Sequence, residues 1–180
     1  MSFFDNITND ILQNIFSSWK KCKDNHIYLE NIYNTQITCD NIMSLHNILQ
    51  TEINKKSVYF DKCMSLDISI QKKFNNILLV NCSNINLYIN NGLISGLNII
   101  NCNNINIILS NKIDFTELSN SENCNYIYNP SHDDNTIFIN TNNCFNINLD
   151  INNIKYLTNS SYFGGKKYYL IHKDNISCIE

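Results

Sequence analysis

The sequence predicts an all-β fold, a parallel β-helix of about six stacked coils. Three observations carry that expectation: a cysteine recurring about every twenty residues, apolar residues alternating behind it, and asparagine where the chain must turn. Five segments align on the cysteine: KCMSLDISI from Lys62, NCSNINLYI from Asn81, NCNNINIIL from Asn101, NCNYIYNPS from Asn123 and NCFNINLDI from Asn143. The intervals between these cysteines are 19, 20, 22 and 20 residues. In four of the five segments, apolar residues stand three, five and seven places after the cysteine, as in Leu66, Ile68, Ile70 and Ile105, Ile107, Leu109. That is the two-residue period of a strand with one buried face.

A second short strand precedes four of the cysteines, as SVYF, NILLV, GLNII and TIFI, so each unit reads strand, corner, strand, corner. Ordering one such unit costs ~1–2 kcal/mol per residue, more than its few large apolar side chains return when it stands alone. The units must therefore stack, sharing a core and parallel hydrogen bonds, with like residues above one another. Cys63, Cys82, Cys102, Cys124 and Cys144 are then expected to form a ladder at one corner. Glycine and proline number only four and one. Asparagine takes the left-handed backbone conformation more easily than other residues with a side chain, so it is expected to supply the corners.

The ends depart from the repeat. In residues 1–25, Phe4, Ile7, Ile11, Leu12, Ile15, Phe16 and Trp19 recur at helical spacing, with Asp5 or Asn6 as a cap, so an amphipathic N-terminal helix is expected to cover the first coil. Residues 26–180 form the β-helix domain. Within it HIYLENIYNTQITCDNI alternates as a first strand pair, and Met43 to Lys56 reads as a looped excursion. At the C-terminus, Tyr162, Phe163, Gly164, Gly165, Lys166, Lys167, Tyr168, Tyr169, Leu170 and Ile171 leave the cysteine register and read as a β-hairpin or returning strand. A terminal strand with an unpaired edge invites a second chain, which makes this segment the candidate protein-binding and dimer element.

Composition narrows the function. Net charge is −3 and there is no arginine, so the basic, fork-donating surface of a nucleic-acid binder is missing. No apolar run approaches the ~20 residues of a membrane span, and MSFFDNITND lacks the pattern of a secretory signal. The expectation is a soluble cytoplasmic protein with neither nucleic acid nor membrane as partner. Reducing conditions then argue against a disulfide framework, and without CxxC pairs or clustered histidines no metal and no cofactor are expected. The stacked thiols are expected to be packing groups; a redox role would favour Cys22, flanked by Lys21 and Lys23, or Cys63, after Lys62. No catalytic residue is expected: Asp133 and Asp134 beside His132 sit in the turn-like NPSHDDN, and no phosphate loop or nucleophile elbow occurs.

From His26 to the end, the order of segments resembles the C-terminal domain of cyclase-associated proteins. The residues that carry it are HIYLENIYNTQITCDN, SVYFDKCMSLDISI, NILLVNCSNINLYINNGLISGLNIINCNNINIILSN, the ENCNYIY coil and the closing FGGKKYYLIHKDNI. The resemblance implies a right-handed β-helix that binds monomeric actin, aids its recharging from ADP to ATP, and forms a homodimer by exchanging C-terminal strands, here Gly164 to Ile179. Two features depart from that family: the N-terminal helix is additional, and the family's proline-containing acidic stretch is shortened to NNIKYLTNSSYF. They leave a second reading open, a structural or assembly protein, for instance of a protist parasite or a large virus, that keeps the fold without actin binding. The similar tubulin-cofactor-C domains act through an arginine finger, which a chain without arginine does not supply.

Overall fold

The structure is a computed structural model that describes residues 25–129, 137–160, 167–172 and 175–179; the expected N-terminal helix lies outside these residues. Among the described residues, fifteen strands are arranged in two sheets. Six strand pairs follow one another along the chain: β1 (His26–Glu30) and β2 (Tyr33–Thr38), β3 (Ser57–Asp61) and β4 (Met64–Ile70), β5 (Phe74–Val80) and β6 (Ser83–Ile89), β7 (Leu93–Ile100) and β8 (Asn103–Leu109), β9 (Phe115–Ser119) and β10 (Glu122–Tyr128), β11 (Ile137–Asn142) and β12 (Cys144–Ile151). The odd-numbered strands pair in parallel in one sheet and the even-numbered strands in the other, so each pair is one rung of a parallel solenoid.

The last three strands replace parallel pairing with antiparallel pairing. Strand β13 (Ile154–Ser160) folds back antiparallel on β12, β14 (Lys167–His172) pairs antiparallel with β11, and β15 (Asn175–Ile179) closes a hairpin with β14. The excursion between the first two rungs contains a short helix, α1 (Cys39–Leu45), and a single 3-10 turn at Ile53–Lys55. Thr38 and Asn41 cap α1 reciprocally, each side chain accepting from the other's backbone N–H. Ile42, Met43 and Ile53 turn into the core, which is why this stretch is ordered.

The core fills the space between the sheets with the alternating residues of both. Leu66, Ile68, Ile70, Ile85, Leu87, Ile89, Ile105, Ile107 and Leu109 form three columns from one sheet, faced by Val58, Phe60, Ile77, Leu79, Leu97 and Ile99 from the other. Asparagine supplies most corners. Asn31, Asn81, Asn101, Asn120 and Asn143 adopt positive φ just before the corner residue, as do Asn34, Asn84, Asn104, Asn123 and Asn146 two places after it; on the second rung Lys62 and Ser65 take these positions. A residue in this conformation ordinarily costs ~1–2 kcal/mol, and asparagine least among those with a side chain.

Candidate functional site

Registering the corners corrects one sequence expectation. Met64, Ser83, Asn103, Glu122 and Phe145 stand in one column across five rungs, so the corner residues before them are Cys63, Cys82, Cys102, Ser121 and Cys144. Cys124 is not in the ladder: it pairs with Ile105 and Ile147 and occupies the first inward position of β10. The interval of 22 residues carried the signal, because Asn120 and Asn123 are the two left-handed residues that bracket this corner, and a cysteine after Asn123 is already inside the strand. Ser121 does the corner's work by donating to the Ser119 carbonyl at 2.8 Å and accepting from the Cys102 N–H at 3.1 Å.

Hydrogen bonds to backbone groups hold the corner thiols. Cys63 Sγ donates to the Asp61 carbonyl at 3.4 Å, Cys82 Sγ to Val80 at 3.2 Å, Cys102 Sγ to Ile100 at 3.2 Å and Cys144 Sγ to Asn142 at 3.4 Å. Cys63, Cys82 and Cys102 lie on consecutive rungs, and the Cys82 N–H donates to Cys102 Sγ at 3.4 Å. Interaction with the Cys82 side chain, followed by burial, pushes the Cys63 and Cys102 thiols up, whereas interaction with both neighbours holds the Cys82 thiol down. Burial also pushes the Cys124 thiol up, to about 12. Among the described residues no group of three or more histidine, cysteine or acidic side chains is arranged to hold a metal.

Three outward surfaces are available for partners. On the seven-stranded sheet, Asp67, Asn86, Asn106, Asn125 and Asn148 form an amide ladder across five rungs, with side-chain hydrogen bonds of 2.7, 2.8, 2.6 and 3.0 Å. At the first two rungs of the other sheet, Tyr28 and Tyr59 stack at 4.9 Å and His26 meets Tyr59 edge-on at 5.2 Å, beside the ion pairs of Lys62 with Glu30 and Asp61. At the C-terminal end, Phe145 and Leu157 are 64% and 60% exposed on the outer face, while Ile154 and Tyr156 cover the end of the core and remain partly exposed. Sequence reasoning missed these aromatics, although an aromatic at the outward beat of an alternating strand, such as Tyr28 between Ile27 and Leu29, was a readable signal.

Of the candidate dimer residues, Tyr162, Phe163, Gly164, Gly165 and Lys166 lie outside the described residues. Lys167, Tyr168, Tyr169, Leu170 and Ile171 belong to β14, where Lys167 pairs with Thr141 and Ile171 with Ile137. Both edges of β14 are therefore paired within the chain, and the unpaired edge at this end of the sheet belongs to β15, the second strand of the hairpin. His132, Asp133 and Asp134 are also outside the described residues. No described helix is long and apolar enough to cross a membrane.

The family profile described as adenylate cyclase associated (CAP) C terminal matches residues 46–160, well over half of the chain. A crystal structure of a cyclase-associated protein from Cryptosporidium parvum superposes with a TM-score of 0.64 at 17% identity, covering 88% of this chain and 92% of that one. At that identity the likeness concerns the fold. No curated protein sequence matches the chain.

Proposed function

Because the chain belongs to the adenylate cyclase associated (CAP) C-terminal family, we propose that it is a cytoplasmic, non-enzymatic module that binds monomeric actin and promotes exchange of its nucleotide. The observation that supports this most directly is the family match, which spans the rungs from the end of α1 to β13. A rigid solenoid suits such a role, since it presents side chains on flat faces without rearranging on binding. The aromatic and charged cluster around Tyr28, Tyr59, Lys62, Glu30 and Asp61 has the mixed chemistry of a protein interface and is our candidate contact. The test is a titration of ADP-actin carrying a fluorescent nucleotide. Accelerated release is expected, and no binding or acceleration at saturating excess rejects the reading.

The proposal includes a homodimer formed by exchange of β14 and β15. Exchange keeps the β11–β14 hydrogen bonds and only changes which copy supplies β14, so it costs little in contacts. Light scattering with and without residues 163–180 tests it: a dimer that becomes a monomer on truncation is expected, and a monomer in both cases rejects exchange. The exposed Phe145 and Leu157 support a second reading, a structural module that docks through its C-terminal end into an assembly without binding actin. Recovery in stoichiometric amount within a particle or filament, with no effect on actin, would favour it.

A further inference from the structure

The first rung ends the stack, yet its core residues are sealed. Ile27 and Leu29 of β1, Ile32 at the corner and Ile37 of β2 are each no more than 4% exposed. At the opposite end Ile154 and Tyr156, which cover the last of the core, are 38% and 41% exposed. Side chains of a terminal rung have a neighbouring rung on one side only, so burial this complete requires a cover on the other. Helix α1 leaves the rung at Cys39 and is tied to the corner after β4, where Lys72 meets Asp40 at 3.3 Å and Met43 Sδ at 3.4 Å. Among the described strands, β1 and β2 are also the outermost of their sheets at this end.

The chain before Asn25 has the dimensions of the missing cover. The Asn25 carbonyl accepts from the Ser57 N–H at 2.9 Å, so residues 1–24 join the rung at the start of β1. Their apolar residues recur at helical spacing between Phe4 and Trp19. A helix carrying that stripe is ~24 Å long and ~10 Å wide. A strand of six residues is ~20 Å long, and packed sheets stand ~10 Å apart. One helix therefore matches the core of one rung in both directions, and residues 20–24 supply the reversal into β1. We propose that residues 1–24 lie across the first rung of their own chain, with the apolar stripe on Ile27, Leu29, Ile32 and Ile37, and that this seat keeps β1 and β2 from accepting strands of another molecule.

The inference depends neither on actin binding nor on strand exchange at the other end. An uncovered parallel rung presents two rows of backbone N–H and C=O groups around an apolar centre, the arrangement that takes up added strands. A helix pairs its own backbone groups internally, so it shields the apolar centre without offering a ladder to a further strand. The segment thus acts as an intramolecular competitor for the surface on which another chain would otherwise build.

Trp19 is the single tryptophan of the chain and reports the seat directly. In the native full chain its emission is expected to be blue-shifted and its quenching by iodide severalfold weaker than in urea, at every protein concentration. Ile11→Asp with Phe16→Asp is expected to remove that shielding and to make the mass by light scattering rise with concentration above that of the starting protein; residues 1–24 supplied as a separate peptide should restore the original mass. Circular dichroism checks that the rungs persist. Should this variant not fold, the milder Ile11→Ala with Phe16→Ala must raise the quenching and the mass in the same direction. Trp19 as open to iodide in the native protein as in urea, shielding that is lost on dilution and so comes from a second copy, shielding that appears only with lipid vesicles, or an unshielded Trp19 with no change of mass would overturn the proposal.

Discussion

The middle rungs, β3 to β8, and the later rungs, β9 to β12, solve the same packing problem with different chemistry. In the middle, every inward strand position on the seven-stranded sheet is leucine or isoleucine, and on that sheet the register repeats without interruption from rung to rung. In the later rungs Thr116, Cys124, Tyr126, Tyr128 and Thr141 replace aliphatics at inward positions, and a longer connection intervenes between β10 and β11. An aliphatic column needs only volume, so it tolerates any neighbour of the right size. A column containing hydroxyls also needs partners, and Tyr126 finds one in Thr116 at 3.4 Å. Regularity therefore ends where packing becomes residue-specific.

The largest expected effect lies at the junction between the two regions. Gly96 has φ +125°, and a Cβ there would come within 2.5 Å of the Phe115 carbonyl oxygen on the next rung. Gly96→Ala should cost about 3 kcal/mol or more, because both the backbone conformation and the rung spacing oppose it. A urea melt that leaves the midpoint unchanged would show that the junction is not a fixed spacer. Next comes the buried hydroxyl pair. Tyr126→Phe and Thr116→Val should each destabilise by about 1–2 kcal/mol by orphaning the partner, and the double variant should recover part of that loss. Strict additivity in the cycle would mean that the two hydroxyls do not interact.

A smaller effect has the opposite sign. The Thr141 hydroxyl is buried without a hydrogen-bond partner among the described residues, at a position paired with Leu118. Thr141→Val should therefore stabilise the protein by about 1 kcal/mol, read as a higher melting temperature, and so bring the later rungs closer to the middle ones. The mildest effect belongs to the excursion after β2. Burial, aided by repulsion from Lys56, lowers the His46 imidazole to about 4 from its usual 6.5. The unfolded chain then binds a proton between these values that the folded chain does not, so stability falls as pH drops from about 6.5 to about 4 and is fully present above. Solvent exposure limits the effect to roughly 1 kcal/mol or less, and His46→Gln should flatten the urea midpoint over this window.

The same contrast explains what could be read from the sequence. The rungs from Val58 to Leu109 were legible because burial repeats there with a period of two and the corners with a period of 19 or 20. The fifth rung misled the cysteine alignment because cysteine serves equally as a corner group and as a small core residue; Ser121, polar and unremarkable in sequence, holds the true corner. The excursion at 43–56 was visible as a break in rhythm but not as a helix and turn, since its order depends on Ile42, Met43 and Ile53 reaching a core that other rungs build. For the candidate surfaces, the outward aromatics of β1 and β3 were within reach of strand alternation. The pairing of β14 with β11 was not, because it is set by a connection across more than twenty residues rather than by any local pattern.

The reversal of strand direction at the C-terminal end bears on how copies of this chain can associate. A bare parallel rung is a template onto which a like rung can add indefinitely, the route to fibrous growth. Strand β13 closes the seven-stranded sheet with chain running the other way, whereas β15, antiparallel to β14, restores the direction of β11 at the edge of the other sheet, so a second molecule's first rung is continued on one sheet and opposed on the other. Addition of a whole like rung is thus interrupted at this end, because the two sheets present edges of opposite direction to any copy that approaches.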